Sequence, residues 1–227
     1  MSSRVPPTFG AGGGEPYGAA LDDDRRTLTL HEYRDAGGTI PRGRRIDVGR
    51  FLAPADAADG EVILAAEGPV LDVGCGPGRM VRAAAARGHL VLGIDVSAVA
   101  VRIARRHGLP VLRRSVFEPL PGLGRWGTAI LMDGNIGIEG DPVALLRRCR
   151  DLVHPRSGRV VVETSPDPFD DRAVRSLVVD DLGRRSAPFA WAEVGAVALR
   201  RHAGAAGLEP QREWTTAGRS FAAYARA

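Results

Sequence analysis

A chain of 227 residues, 44% of them hydrophobic, is long enough to bury the core of one globular domain. No apolar run reaches membrane-spanning length, and the opening MSSRVPPTFGAGGGEPYG lacks the continuous apolar core of a secretory signal, so no membrane association and a cytoplasmic location are expected. The net charge of +4 is mild and all 31 basic residues are arginine, which excludes a phosphate loop ending in Gly-Lys-Ser/Thr and any lysine base.

Residues 1–18 read as a flexible leader. Residues 19–68 read as a charged, turn-rich cap or lid segment ending in a helix from about Ala55 to Glu67, which stops at Gly68. From Pro69 strands and helices alternate. Pro69–Val73 reads as a strand, Gly78 to Arg87 as a helix stopped by Gly88, and HLVLGID as a second strand. Ser97 is placed to cap a helix over AVAVRIARRH, with Gly108 just past its end. LPVLRRS is a third short strand, and GTAILMD, wholly apolar until its last residue, is a fourth of the kind buried on both faces. Asp141-Pro142 opens a helix to about Val153, and GRVVVET is a fifth strand. Ser165 to Ala187 reads as a charged irregular stretch and Phe189 to Ala206 as a helix ended by Gly207. LEPQREW and RSFAAYAR, separated by TTAG, form a closing hairpin.

This alternation implies a mainly parallel sheet with helices on both faces, whose ligands bind at the carboxyl ends of the strands. That rim collects the loop after VLDV together with Asp95, Ser115, Asp133 and Thr164. The loop glycines Gly74, Gly76 and Gly78 are spaced G-x-G-x-G, and Arg79 stands where a dinucleotide fingerprint has its third glycine. Asp72, two residues before the first glycine, suits a ligand with an ammonium or sulfonium group better than a pyrophosphate. Asp95, 19 residues after Gly76, offers two oxygens to a pair of ribose hydroxyls. Cys75 and Cys149 form no disulfide framework, and five scattered histidines show no metal-ligand spacing, so no metal is expected.

VLDVGCGPGRM followed by GIDVS resembles the first two motifs of class I S-adenosylmethionine-dependent methyltransferases, over roughly Pro69 to Ala227. The resemblance implies a three-layer α-β-α Rossmann-like α/β fold: a seven-stranded, mostly parallel sheet with a C-terminal antiparallel hairpin, in a domain covering 69–227. It implies S-adenosylmethionine as cofactor. Backbone at Gly74, Cys75 and Gly76 would hold its methionine part, with Asp72 near the ammonium group. Asp95 would take the ribose and Val96 would pack on the adenine. Ser115 stands where the family often has an aspartate for the adenine amino group, and the Val116 backbone would supply another hydrogen bond. Asp133 and Gly134 would border the methionine end.

The implied activity is methyl transfer by in-line displacement, which demands few obligatory catalytic residues. DGNI after the fourth strand lacks the Asp/Asn-Pro-Pro-aromatic motif of enzymes acting on nucleobase amino groups or amides, and neither cysteine is placed as a nucleophile. Basic pairs lie among acidic residues with no aromatic strand face for bases, which argues against nucleic acid. A small-molecule acceptor is therefore expected, while O-, N- and C-methylation stay open, as do monomer and homodimer. The alternative is a protein of this fold that binds S-adenosylmethionine without methylating. Acceptor contacts are sought in His31 and Tyr33, in Asn135 to Glu139, with Asn135 orienting the acceptor, and in Ser165 to Trp191. His31 and His154 are weighed as bases, and no catalytic residue is assigned.

Overall fold

The computed structural model of the protein describes residues 8–23, 27–34, 38–39 and 43–227. It begins with α1 (Pro16–Asp22), β1 (Thr27–Arg34), β2 (Gly38–Thr39), β3 (Arg44–Asp47) and the single turn α2 (Gly49–Leu52). The alternating part follows: α3 (Ala57–Ala65), β4 (Val70–Val73), α4 (Arg79–Ala86), β5 (Val91–Asp95), α5 (Ala98–Arg106), β6 (Val111–Arg113) and β7 (Thr128–Leu131). A 3₁₀ segment over Asn135–Gly140 leads into α6 (Pro142–Leu152), β8 (Arg159–Glu163), β9 (Asp171–Asp180), β10 (Phe189–Val194), α7 (Ala196–Ala205), β11 (Leu208–Thr216) and β12 (Arg219–Arg226).

The main sheet has seven strands in the order β11-β12-β8-β7-β4-β5-β6. The run from β8 to β6 is parallel, and β12 is antiparallel to both β8 and β11. Strand order therefore reverses between β4 and β7, and the glycine loop leaves β4 at that switch point. Alternating side chains divide the core. Leu71, Ala129, Leu131, Val160 and Val162 face α6 and α7, while Val70, Ile130 and Val161 face α3, α4 and α5.

Local chemistry starts the helices where the sequence places them. Ser97 Oγ accepts from the Ala100 N–H at 3.2 Å, and Asp141 Oδ1 from the Ala144 N–H at 2.9 Å with Pro142 in the first turn. Asp56 and Asp59 form a reciprocal capping box at the start of α3.

A second, antiparallel sheet covers the carboxyl rim of the first. β10 pairs with β9, β9 with β1, and β1 with β2 and β3 on its other edge. Here the structure departs from the sequence reading. The expected irregular stretch from Ser165 to Ala187 holds the ten-residue β9, and the expected helix from Phe189 is β10 before Gly195 and α7 only after it. β9 gains a strand partner far away in sequence, Leu28↔Asp180 for instance, and β10 pairs with β9 in turn, so tertiary pairing overrides local preference. The lid thus draws on residues both before and after position 69.

The reading of 1–18 as a flexible leader also departs from what is seen. Residues 1–7 lie outside the described residues. Beyond them, the N–H of Gly14 donates to Arg185 O and that of Ala187 to Ala11 O, both at 3.0 Å. Pro16 opens α1, whose Tyr17, Ala20 and Leu21 are buried with Leu28, Val48 and Ala100.

Candidate active site

Between the carboxyl rim of the main sheet and the inner face of the lid lies a cavity of about 1380 Å³. Each of Asp72, Gly74, Cys75, Gly76, Asp95, Val96, Ser115, Val116, Asp133 and Gly134 lines it.

The glycine loop is held by its own amides. The N–H groups of Gly74 and Cys75 both donate to Ile94 O, at 2.9 and 3.0 Å, and that of Gly78 to Cys75 O at 3.0 Å. The Gly76 N–H donates to Asp95 Oδ2 at 2.8 Å, and the Ser97 N–H to Asp95 Oδ1 at 2.7 Å. A phosphate loop presents such amides to an anion. Here they are committed to the protein, and close approach of the backbone is what remains. A Cβ on Gly74, whose φ is +74°, would lie 2.5 Å from the Asn135 amide nitrogen. That nitrogen donates to Val73 O and Gly74 O at 2.9 Å each, so Asn135 ties the two loops together and has no N–H left for an acceptor.

Asp72 is 1% exposed, and its Oδ2 has no hydrogen-bond partner among the described residues. Burial pushes its carboxyl up to about 8, against the opposing field of Arg79. Burial also raises the carboxyls of Asp95, opposed by hydrogen bonds from the backbone, and of Asp133, opposed by Arg79. The Cys75 thiol is pushed well up by burial and then by Asp72 and Asp95, so it stays neutral and packs on Gly93 rather than acting as a nucleophile.

Arg79, which replaces the dinucleotide glycine, has a structural task. Its guanidinium is 4% exposed and joins Asp59 of α3 to Asp133 beyond β7. Arg219, at the start of β12, reaches Asp59 Oδ1 at 2.8 Å and holds Glu163 with Nε at 2.7 Å and Nη2 at 2.8 Å. Glu163 Oε2 in turn accepts from the Asp133 N–H at 2.7 Å. Burial works to raise the Asp59 carboxyl, yet the bonds from Arg79 and Arg219 hold it below its ordinary value. One buried ion network thus fixes the ends of β7 and β8 and the glycine-loop helix.

The fold and the glycine motif are matched by known proteins. The family model described as "Methyltransferase domain" matches residues 70–156. The solved structure of an S-adenosylmethionine-dependent methyltransferase from Bacteroides fragilis, in complex with S-adenosyl-L-homocysteine, superposes with a TM-score of 0.78 at 19% identity, covering 97% of this chain and 98% of that one. The chain has the fold of that S-adenosylmethionine-dependent methyltransferase, and residues 70–156 match the methyltransferase-domain model.

This methyltransferase-fold chain is 34% identical over 104 residues to the ubiquinone biosynthesis O-methyltransferase of Pseudomonas paraeruginosa, a match covering 42% of this chain. The chain spans 43% of the length of that relative. The 1,6-didemethyltoxoflavin-N1-methyltransferase of Burkholderia thailandensis superposes with a TM-score of 0.54 at 20% identity, over 75% of this chain and 77% of that one.

The sequence reading placed the acceptor-side residues less well. Asn135, Ile136, Ile138, Glu139 and Trp191 line the cavity, whereas His31, Tyr33 and His154 are not among its lining residues. His154 Nδ1 instead serves the turn after α6, 2.9 Å from Ser157 Oγ. Ser115 lines the cavity, but its Oγ accepts from the Phe117 N–H at 3.3 Å. The reading missed Phe9, Tyr17, Arg50 and Phe51, which bring the N-terminal segment into the cavity wall. Phe9 packs on Tyr17, Phe189 and Trp191 with ring centroids 5.3 to 5.5 Å apart. Tyr17 lies over the glycine loop, its hydroxyl 3.2 Å from where a Cβ on Gly76 would be. The signal for α1 was present in Pro16 followed by apolar residues at 17, 20 and 21, and the preceding glycine run obscured it.

Proposed function

We propose that this protein binds S-adenosylmethionine and transfers its methyl group to a small-molecule acceptor. The observation that carries the reading is the pairing of a glycine loop whose amides are committed internally with a buried, partnerless Asp72 oxygen in the same cavity. That combination fits a phosphate-free nucleoside bearing a cationic amino group. A relative named for ubiquinone biosynthesis and a fold neighbour named for 1,6-didemethyltoxoflavin support the substrate class.

The residues that would hold the cofactor fall into three sets. Asp72 would accept from the ammonium group. Asp95, oriented by the Gly76 and Ser97 amides, would accept from the ribose hydroxyls. Val96, Ser115 and Val116 would enclose the base, with Asp133 and Gly134 bordering the methionine end. When bound, S-adenosylmethionine supplies a methyl group on a sulfonium, a good leaving group. The chain's own contribution is alignment and exclusion of water. The lid wall of Phe9, Phe51, Phe189 and Trp191 provides an apolar roof, and Asn135 locks the loop beneath it.

Titration calorimetry with S-adenosylhomocysteine tests this. The wild-type protein should bind it, and Asp95→Ala should weaken binding about 10- to 100-fold through loss of two charge-assisted hydrogen bonds. Full affinity in that variant, or preference for NAD(H), would overturn the assignment. Release of S-adenosylhomocysteine from S-adenosylmethionine across a panel of phenols and amines separates a methyltransferase from a cofactor binder that does not methylate.

A further inference from the structure

The turn after β7 carries a carboxylate that the cofactor leaves unused. Four non-glycine residues among those described have a positive φ, and two of them, Asp133 at +56° and Glu139 at +59°, open and close this one turn. Left-handed backbone is strained for a residue with a Cβ, and such strain gathers where the surrounding fold enforces it for a purpose. At Asp133 the carboxylate joins the ion network through Arg79. Glu139 has no such use in the free fold: among the described residues it accepts no hydrogen bond and joins no ion pair.

Packing against β10 holds the turn in place. A Cβ on Gly137 would lie 2.2 Å from Ala192 O and 2.7 Å from the Trp191 indole, and one on Gly140 would lie 3.1 Å from the Ala190 Cβ. Ile138, between those glycines, packs with Leu30, Phe189 and Trp191. Glu139 therefore joins the cavity wall beside the aromatic group of Phe9, Phe189 and Trp191. Other carboxylates of that wall are engaged. Glu32 and Glu193 are held by Arg172, Glu163 by Arg219, and Asp167 and Asp170 accept from the Phe169 N–H and the Ser165 hydroxyl.

We propose that Glu139 is the anchor and base for a basic amine, so that the acceptor end of the cavity selects amines for N-methylation. The amine site rests on the methyltransferase reading and narrows its acceptor class. An ammonium group suits both features of the wall, because it pairs with the carboxylate and is attracted to the faces of Phe and Trp. A neutral hydroxyl gains less from either. In the transfer, an N–H proton of the bound ammonium passes to the Glu139 carboxylate, and the freed lone pair attacks the methyl carbon. The C–S bonding pair returns to sulfur, which leaves as a thioether. The product is a methylated ammonium, and Glu139 releases its proton to water. Partial burial raises the Glu139 carboxyl, which brings it closer to the basicity this transfer requires.

The test uses the protein saturated with S-adenosylhomocysteine and two matched pairs, phenethylamine with phenethyl alcohol and tryptamine with tryptophol. Calorimetry near neutral pH should show each amine bound at least about 10-fold more tightly than its alcohol. Glu139→Gln should weaken the amines about 10-fold and leave the alcohols within about threefold, so that the preference is lost. Glu139→Gly removes the carboxylate and relieves the left-handed backbone together, so it should melt at or above the wild-type temperature while losing the amines. A much lower melting temperature would show a carboxylate that serves the fold instead, and would overturn the proposal. Equal wild-type affinity for amine and alcohol, unchanged amine affinity in Glu139→Gln, or binding of neither amine would also overturn it, and would leave the cofactor reading standing. Failure to bind S-adenosylhomocysteine removes the cofactor reading itself, and the amine site with it.

Discussion

Burying a carboxyl beneath the glycine loop with no donor for one oxygen is costly, and Asp72 carries that cost in the free protein. Its carboxyl is pushed up to about 8 by burial, against about 4 in an unfolded chain. A raised carboxylate binds more protons folded than unfolded, so between pH 4 and 8 it subtracts stability as pH rises. Asp72→Asn should therefore be more stable than wild type at pH 8 by a few kcal/mol, a gap that closes toward pH 4, as urea melts at the two pH values would show. The same substitution should weaken S-adenosylhomocysteine binding. An ammonium group favours the ionised carboxyl, so wild-type affinity should climb between pH 6.5 and 8.5, and calorimetry of Asp72→Asn should show that climb lost. Asp72 and Asp95 were legible because spacing from the glycines identifies them. Arg50 was not, because nothing local marks one arginine among 31 as facing a cavity.

Helices α3 and α4 and the ends of β7 and β8 are joined by the buried network around Arg79. In the sequence Arg79 marked only a missing glycine; its partners are 20 and 54 residues away. Arg79→Met would leave Asp59 and Asp133 with fewer compensating charges in a buried setting, and should cost about 3 kcal/mol in a denaturant titration. Arg219 stays to pair Asp59, which keeps the loss from being larger. The strands of the lid illustrate the opposite limit of legibility. FAWAEV has the buried, exposed, buried order of a strand over Phe189, Ala190 and Trp191, yet it runs into the alanine-rich α7 without a break in composition. Gly195 is the boundary, with its φ of −84° and ψ of 170° capping α7 in extended backbone.

At the scale of the molecule, two sheets with separate apolar clusters enclose one cavity. The lid and N-terminal clusters contain Leu28, Leu30, Val178 and Phe189, whereas the main-sheet clusters lie on either side of β4 and β7. Leu28 is fully buried in the N-terminal cluster, and Leu28→Ala should destabilise that unit by about 2 to 4 kcal/mol. Hydrogen exchange should then speed up in α1, β1 and β9 well before the amides of β4 and β7 are affected. If all amides accelerated together, the lid would be unfolding with the main sheet rather than by itself.

The sequence by itself determined the alternating parallel sheet, its closing hairpin and the residues that gather at the carboxyl rim of that sheet. Those features rest on short-range rules: period-two apolar runs, helix caps, and glycines at a strand end. Only the tertiary structure decided that β1, β2, β3, β9 and β10 combine into a second sheet, that Arg79 belongs to an ion network, and that Arg50 and Tyr17 line the cavity. Those features depend on pairings such as Leu28 with Asp180 and Arg219 with Asp59, more than 150 residues apart. Such partners are chosen by burial and charge in the folded chain, which no local pattern encodes.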